Sequence, residues 1–326
     1  MSKDAGNDYK GLILDGISIT VIATQDTVEQ DSNDDQYDQD AQYPLVVRTL
    51  DELKNAMAEG GNVKLISNID LTGKGGSEQV TIKTDGTIDF NGNTINGELE
   101  VGGYLSGDGI VNVIIKDMNP NDGYSIRSNY RKTEAGAMMQ PAAIYVFKPT
   151  TTVESGKFTS NNAVVICQVQ GVYDVDGNMW KYSATNPQPL PETIMTTLVI
   201  NGGQFDAQGD SVCIATVTGK AIINDGIFNV EANGALIDAD SGDSNQKTST
   251  IINGGTFTAT EGVAFHFSSA KSTVIVNGGT FTVKNLVDGE AGTLVINGGT
   301  FNVDPSAYVA SGKTVTNNGD GTWTVQ

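Results

Sequence analysis

The chain has 326 residues, 38% of them hydrophobic, enough for a sizeable core and too many for disorder throughout. Its 39 glycines, 8 prolines and 18% charged residues suit short strands and tight turns better than a helical bundle. A formal net charge of −20, with only Arg48, Arg127 and Arg131 as arginines, excludes a nucleic-acid surface and disfavours an anionic membrane.

Residues 1–45 form a compositional zone of their own. An alternating apolar run carries Leu12, Leu14, Ile17, Ile19 and Val21, and seven acids with no base follow between Asp26 and Asp40. The acidic stretch has too little apolar surface to fold alone. Two readings fit: a solvated leader containing one strand, or an arm whose Leu12–Val21 strand adds to a partner's sheet edge. The start shows no basic region followed by an apolar one, so no secretory signal is expected, and the 13-residue stretch from Gly11 to Ala23 is too short to span a membrane.

Thr49 and Glu52 form a capping box, Leu50, Leu53 and Met57 share a helix face, and Gly60-Gly61 stops the run. A one-faced helix of about ten residues needs a surface to cover, and the open end of a stacked sheet supplies one. Asn62 to Leu71 then alternates as a strand, and Ile82, Ile88, Phe90 and Ile95 recur between Gly and Asn turns.

Downstream the chain repeats. Glu154-Ser-Gly-Lys-Phe158 introduces Asn201-Gly-Gly-Gln-Phe205, Asn224-Asp-Gly-Ile-Phe228, Asn253-Gly-Gly-Thr-Phe257, Asn277-Gly-Gly-Thr-Phe281 and Asn297-Gly-Gly-Thr-Phe301. The last five phenylalanines lie 23, 29, 24 and 20 residues apart, about one turn of a three-sided coil of short strands. Each motif follows a β-branched strand, so the expected fold is all-β: a right-handed parallel β-helix over residues 46–312, with coils about 4.8 Å apart. Gly203 and its equivalents take φ > 0 at the corner, Phe205, Phe228, Phe257, Phe281 and Phe301 stack inside, and the asparagines from Asn201 onward form an outer amide ladder. Cys167, Cys213, Leu236 and Phe265, eight or nine residues after a Phe, are expected on a second interior ladder. Two cysteines are too few for a disulfide framework, and both are expected reduced.

Two insertions interrupt the rhythm, near 118–141 and 168–197, and loops of that length are often functional. The first holds Tyr124, Arg127, Tyr130, Arg131 and Lys132, the sole basic cluster; the second holds Tyr173, Trp180 and Tyr182 before Pro187, Pro189 and Pro191. Arg127, Arg131, Tyr173, Trp180 and Tyr182 are the candidate ligand or receptor contacts, although the aromatics suit covering coil edges equally well. Asp174-Val-Asp176-Gly-Asn178 has the start of a calcium loop without its downstream acid, and Asp-Gly is also a hairpin turn, the reading preferred. Residues 313–326 are expected to close the far end as a hairpin around Asn318 to Gly321.

Catalysis lacks a positive signal. Asp206, Asp210, Asp238, Asp240 and Asp243 are the candidate carboxylates, and most sit beside Gly, Ser or Asn, where turn acids are expected. His266, the one histidine, alternates outward between Phe265 and Phe267 and is expected to be lone and inert. No cofactor is expected.

Strings such as Ile-Asn-Gly-Gly-Thr-Phe, and the ending Asp-Pro-Ser-Ala-Tyr-Val-Ala with Asn-Gly-Asp-Gly-Thr-Trp-Thr-Val, resemble the pectate-lyase-like β-helix modules of gut-bacterial surface proteins and tailed-bacteriophage fibres. The resemblance covers roughly residues 49–326 and lacks the Gly-His-Gly of polygalacturonase-type enzymes. It implies a non-enzymatic virion fibre or spike, a homotrimer made in the host cytoplasm. Such a fibre anchors to capsid or tail proteins through residues 1–45 and displays its β-helix to a host glycan. A polysaccharide-degrading tailspike and a carbohydrate-binding adhesin are the alternatives.

Overall fold

The computed structural model describes residues 43–71, 80–102, 111–129, 142–169, 173–175, 178–180, 195–240, 248–289 and 292–326. The apolar positions Leu12, Leu14, Ile17, Ile19 and Val21, the acidic stretch, and Tyr130, Arg131, Lys132, Asp176, Tyr182 and Asp243 lie outside them. The chain divides after Tyr43, and the described strands and helices all belong to the unit Pro44–Gln326.

Because the strand–corner unit returns every few tens of residues, each strand meets its equivalent one coil later, in parallel. Ten strands stack this way as Leu45–Val47, Gly61–Leu65, Gly86–Asp89, Asn112–Lys116, Thr150–Val153, Thr197–Ile200, Gly219–Ile223, Thr248–Ile252, Ser272–Val276 and Thr293–Ile296. The other walls join in one seventeen-stranded sheet, parallel except at the C-terminal end. The fold is a parallel β-helix. Inside the ten-stranded wall, alternation places Ile115, Val153, Ile200, Ile223, Ile252, Val276 and Ile296 in one buried column.

The phenylalanine column runs through the neighbouring wall. Phe158, Phe205, Phe228, Phe257, Phe281 and Phe301 are in register on successive strands and at most 1% exposed. Their ring centroids are 5.3, 4.8, 4.7, 4.5 and 5.0 Å apart in order, with interplanar angles of 22° or less. Each such pair contributes roughly 0.5–1.5 kcal/mol beyond the area it buries. The corner glycine makes the stack possible. Gly255 has φ +108°, and a Cβ there would sit 3.0 Å from the Gly226 carbonyl oxygen and 3.2 Å from the Phe257 ring.

On the third wall, Ile166, Ile214, Ile237 and Phe265 form one interior column, and the residue before each, Val165, Cys213, Leu236 and Ala264, is also in the core. Two consecutive residues face inward because the strand bends there. This corrects the expected second ladder: Cys213 and Leu236 belong to it, but Phe265 is one position along. Cys167 pairs in register with Tyr145 and Ala215 and joins a separate apolar cluster with Ala142, Phe147, Val164 and Val169. Strict alternation cannot anticipate a bend, so the sequence offset placed both thiols together.

Part of each expected insertion is strand. Ile126–Asn129 is a regular strand, with Ile126 between Ile95 and Phe158 in the interior column. Tyr173–Val175 and Asn178–Trp180 pair antiparallel, with Val175 opposite Asn178. Helix α1, Leu50–Glu59, has both halves of its capping box and buries Leu53, Ala56 and Met57 at the first coils. At the other end Val315–Asn317 and Trp323–Val325 form a hairpin whose second strand pairs antiparallel with Gly299–Phe301. Helix and hairpin each block a stack end that would otherwise template further strands.

Candidate functional surfaces

The outer column of the third wall runs Glu100, Tyr145, Cys167, Ala215, Asp238, His266, Asp288. From Tyr145 to Ala215 it is apolar and buried, and Tyr145 stacks on Phe147 with centroids 5.5 Å apart. Burial pushes the Cys167 thiol up to about 12, and Asp238 and Asp240 add to the shift. Its lower half is ionisable. His266 donates from Nδ1 to Asp288 Oδ1 at 2.6 Å, and Ser268 donates to Asp238 Oδ1 at 3.1 Å. Burial raises the Asp238 pKa, opposed by the Ser268 hydrogen bond and His266 and reinforced by Asp240 and Asp288. The histidine expected to be lone is therefore paired: equal offsets from the strand bend put Asp238, His266 and Asp288 on successive rungs.

A second polar group lies outside the phenylalanine wall. Asp206 accepts from Gln204 Nε2 at 2.8 Å and from Asn229 Nδ2 at 2.7 Å. Asp206 also acts on Tyr124, and Lys157 Nζ stands 4.7 Å from the centre of the Tyr124 ring. The Tyr124 pKa is raised, by burial first and then by Asp206. Arg127 is exposed on the same wall, two rungs from Asp206 with Thr159 between. Asp206 and Asp238 are strand residues, which corrects their reading as turn acids: outward strand positions beside Gln, Asn or Ser satisfy a carboxylate as well as a turn does. Asp210 lies at a bend after its strand.

Asp89 and Asp117 act at corners. Asp117 is 5% exposed and accepts from Gly92 N, Asn119 N and Ser125 Oγ, while Asp89 accepts from Asn91 N and Met118 N. In later coils the Asn-Gly-Gly corner replaces this arrangement.

Tyr173 and Trp180 are register partners in the antiparallel hairpin, and Asp174 pairs with Met179. Among the described residues no three His, Cys, Asp or Glu side chains converge on a metal position, and no helix is long and apolar enough to cross a membrane. No family model, curated protein or solved structure matches the chain.

Proposed function

We propose that this protein is a non-enzymatic fibre or spike of a bacteriophage-type virion. Residues 1–45 attach it to the particle, and the β-helix, carried in several copies, faces a host-surface glycan. The observation that supports this best is the unbroken side-chain stacking from Phe158 to Phe301. Such stacking makes a stiff shaft whose interior is independent of its outward positions, leaving those free for recognition.

The carboxylates favour the same reading. Asp89 and Asp117 hold corners, and Asp206 is held by neighbouring amides, so these acids have structural partners. Tyr124, Lys157 and Arg127 offer a ring and two cations on the outer wall, a combination able to meet sugar rings and hydroxyls.

Mass spectrometry of purified particles from the source tests the reading directly. The protein should be present at fixed stoichiometry, and a form lacking residues 1–45 should remain strand-rich yet fail to join particles. Absence from particles, or normal incorporation of the truncated form, overturns the anchor. New reducing ends after incubation with host capsular polysaccharide would overturn the non-enzymatic part.

A further inference from the structure

We infer that copies of this chain associate through the outward face of the ten-stranded wall. Five successive coils present the same outward triplet at alternate positions: Thr197-Val199-Asn201, Lys220-Ile222-Asn224, Ser249-Ile251-Asn253, Thr273-Ile275-Asn277 and Thr293-Val295-Asn297. The register aligns these into three straight columns, one hydroxyl-rich, one of Val and Ile, and one of amides. Fifteen outward positions hold no acid, in a chain with 39 acidic residues and a net charge of −20.

The phenylalanine wall provides an internal comparison. Its outward positions in the five matching coils are Gln204 and Asp206, Ile227 and Asn229, Thr256 and Thr258, Thr280 and Thr282, and Thr300 and Asn302, nine of them polar and one, Ile227, an exposed isoleucine. Threonine has the shape of valine and the same strand preference, so the fold does not require Val or Ile on an outward rung. Val199, Ile222, Ile251, Ile275 and Val295 fill that column without a break on the ten-stranded wall, each partly exposed, whereas on the phenylalanine wall Ile227 has Gln204 and Thr256 as its neighbours. A partner that covers them accounts for the difference.

A second copy fits this face better than an unrelated surface. β-Branched ridges repeating at the rung spacing of about 4.8 Å interlock only with a surface of the same repeat, which another copy supplies along its whole length. Charge points the same way. Like charges facing each other across an interface cost several kcal/mol, and the third wall, with Asp238 and Asp288 outward, would bring them together. These five coils of the ten-stranded wall carry no acid and a single base, Lys220.

The inference deepens the multimeric part of the proposed function and is separable from particle attachment. Sedimentation of the full chain across a range of concentrations should show a multimer. The triple variant Ile222→Asp, Ile251→Asp, Ile275→Asp should associate at least about a hundredfold more weakly while keeping a wild-type far-ultraviolet circular dichroism spectrum. The control Thr258→Asp, Thr282→Asp should remain multimeric. A bis-maleimide should link Ser249→Cys chains into dimers, since both native cysteines are buried. A monomeric wild type, a triple variant still associated, or no cross-link overturns the face. A monomer found in particles overturns this inference alone; a multimer through this face in a protein absent from particles overturns attachment alone.

Discussion

Asn201 donates from Nδ2 to Glu154 Oε1 at 3.0 Å, and this contact ends a chain of amides that all point one way. Asn224 donates to Asn201, Asn253 to Asn224, Asn277 to Asn253 and Asn297 to Asn277, at 2.8 to 2.9 Å. Every NH2 faces the earlier coil, so the aligned dipoles present their positive end to a carboxylate, as a helix N-terminus does. The first coil of the array breaks the Asn pattern with Glu154, where an acceptor is required and a donor is not.

The ladder's direction sets the sign of a mutation. Asn253→Ala should lose two hydrogen bonds, on the order of 1 kcal/mol each. Asn253→Asp should be worse at pH 7, because its ionised carboxylate faces the Asn224 carbonyl oxygen with no proton to donate. Below about pH 4 the neutral carboxylic acid regains a donor, and the deficit should shrink. Urea denaturation of both variants at pH 7 and pH 3.5 checks this; equal losses at both pH values would contradict the ordering.

Gly255→Ala should destabilise by roughly 1–3 kcal/mol, since φ +108° is a glycine conformation and the new Cβ also crowds Gly226 and Phe257. Gly312→Ala isolates the backbone share: φ is +84° and no heavy atom lies within 4 Å of its Cβ. It should cost less, and thermal melts of the pair measure the difference.

Phe228 lies between two rings at 4.8 and 4.7 Å. Phe228→Ala should therefore cost about 3–5 kcal/mol through lost burial and a cavity, while Phe228→Leu, which leaves less void, should cost less than half of that. Equilibrium unfolding would show it, and comparable losses for Ala and Leu would mean the column relaxes around the gap.

Asp238 gives a pH dependence of definite sign. Burial raises its folded pKa above the unfolded value, so the folded state binds its proton more tightly. Its contribution to stability is thus greatest below the unfolded pKa and declines as pH rises through the folded one. Asp240, His266, Ser268 and Asp288 are the groups around it. Asp238→Asn, which keeps an acceptor for Ser268, should raise the melting temperature at pH 7 and leave it nearly unchanged at pH 3. A lower melting temperature at pH 7 would mean the ionised form is favoured by its surroundings.

The thiols should be silent. Cys167 is 2% exposed and Cys213 is 0% exposed, and burial pushes both pKa values up. Iodoacetamide at pH 8 should label neither in the native protein and both after denaturation, and labelling of Cys167 alone would show that the cluster around Tyr145 opens.

The sequence by itself determined the coil, the corner and the core column, because each is a local pattern restated in five or more coils. Asn-Gly-Gly-x-Phe after a β-branched strand specifies one φ > 0 corner and one inward ring wherever it occurs, and Thr49 with Glu52 specifies the helix start. The tertiary structure decided everything that depends on counting between coils of unequal length. Asp238, His266 and Asp288 follow their phenylalanines Phe228, Phe257 and Phe281 by 10, 9 and 7 residues, so no fixed offset reveals that they share a column. The strand Ile126–Asn129 lacks the motif and reads as loop until Ile95 and Phe158 pair on either side of it. The bend that turns Cys213 inward and leaves Cys167 outside comes from closing three walls around one core, and alternation along a single strand does not encode that closure.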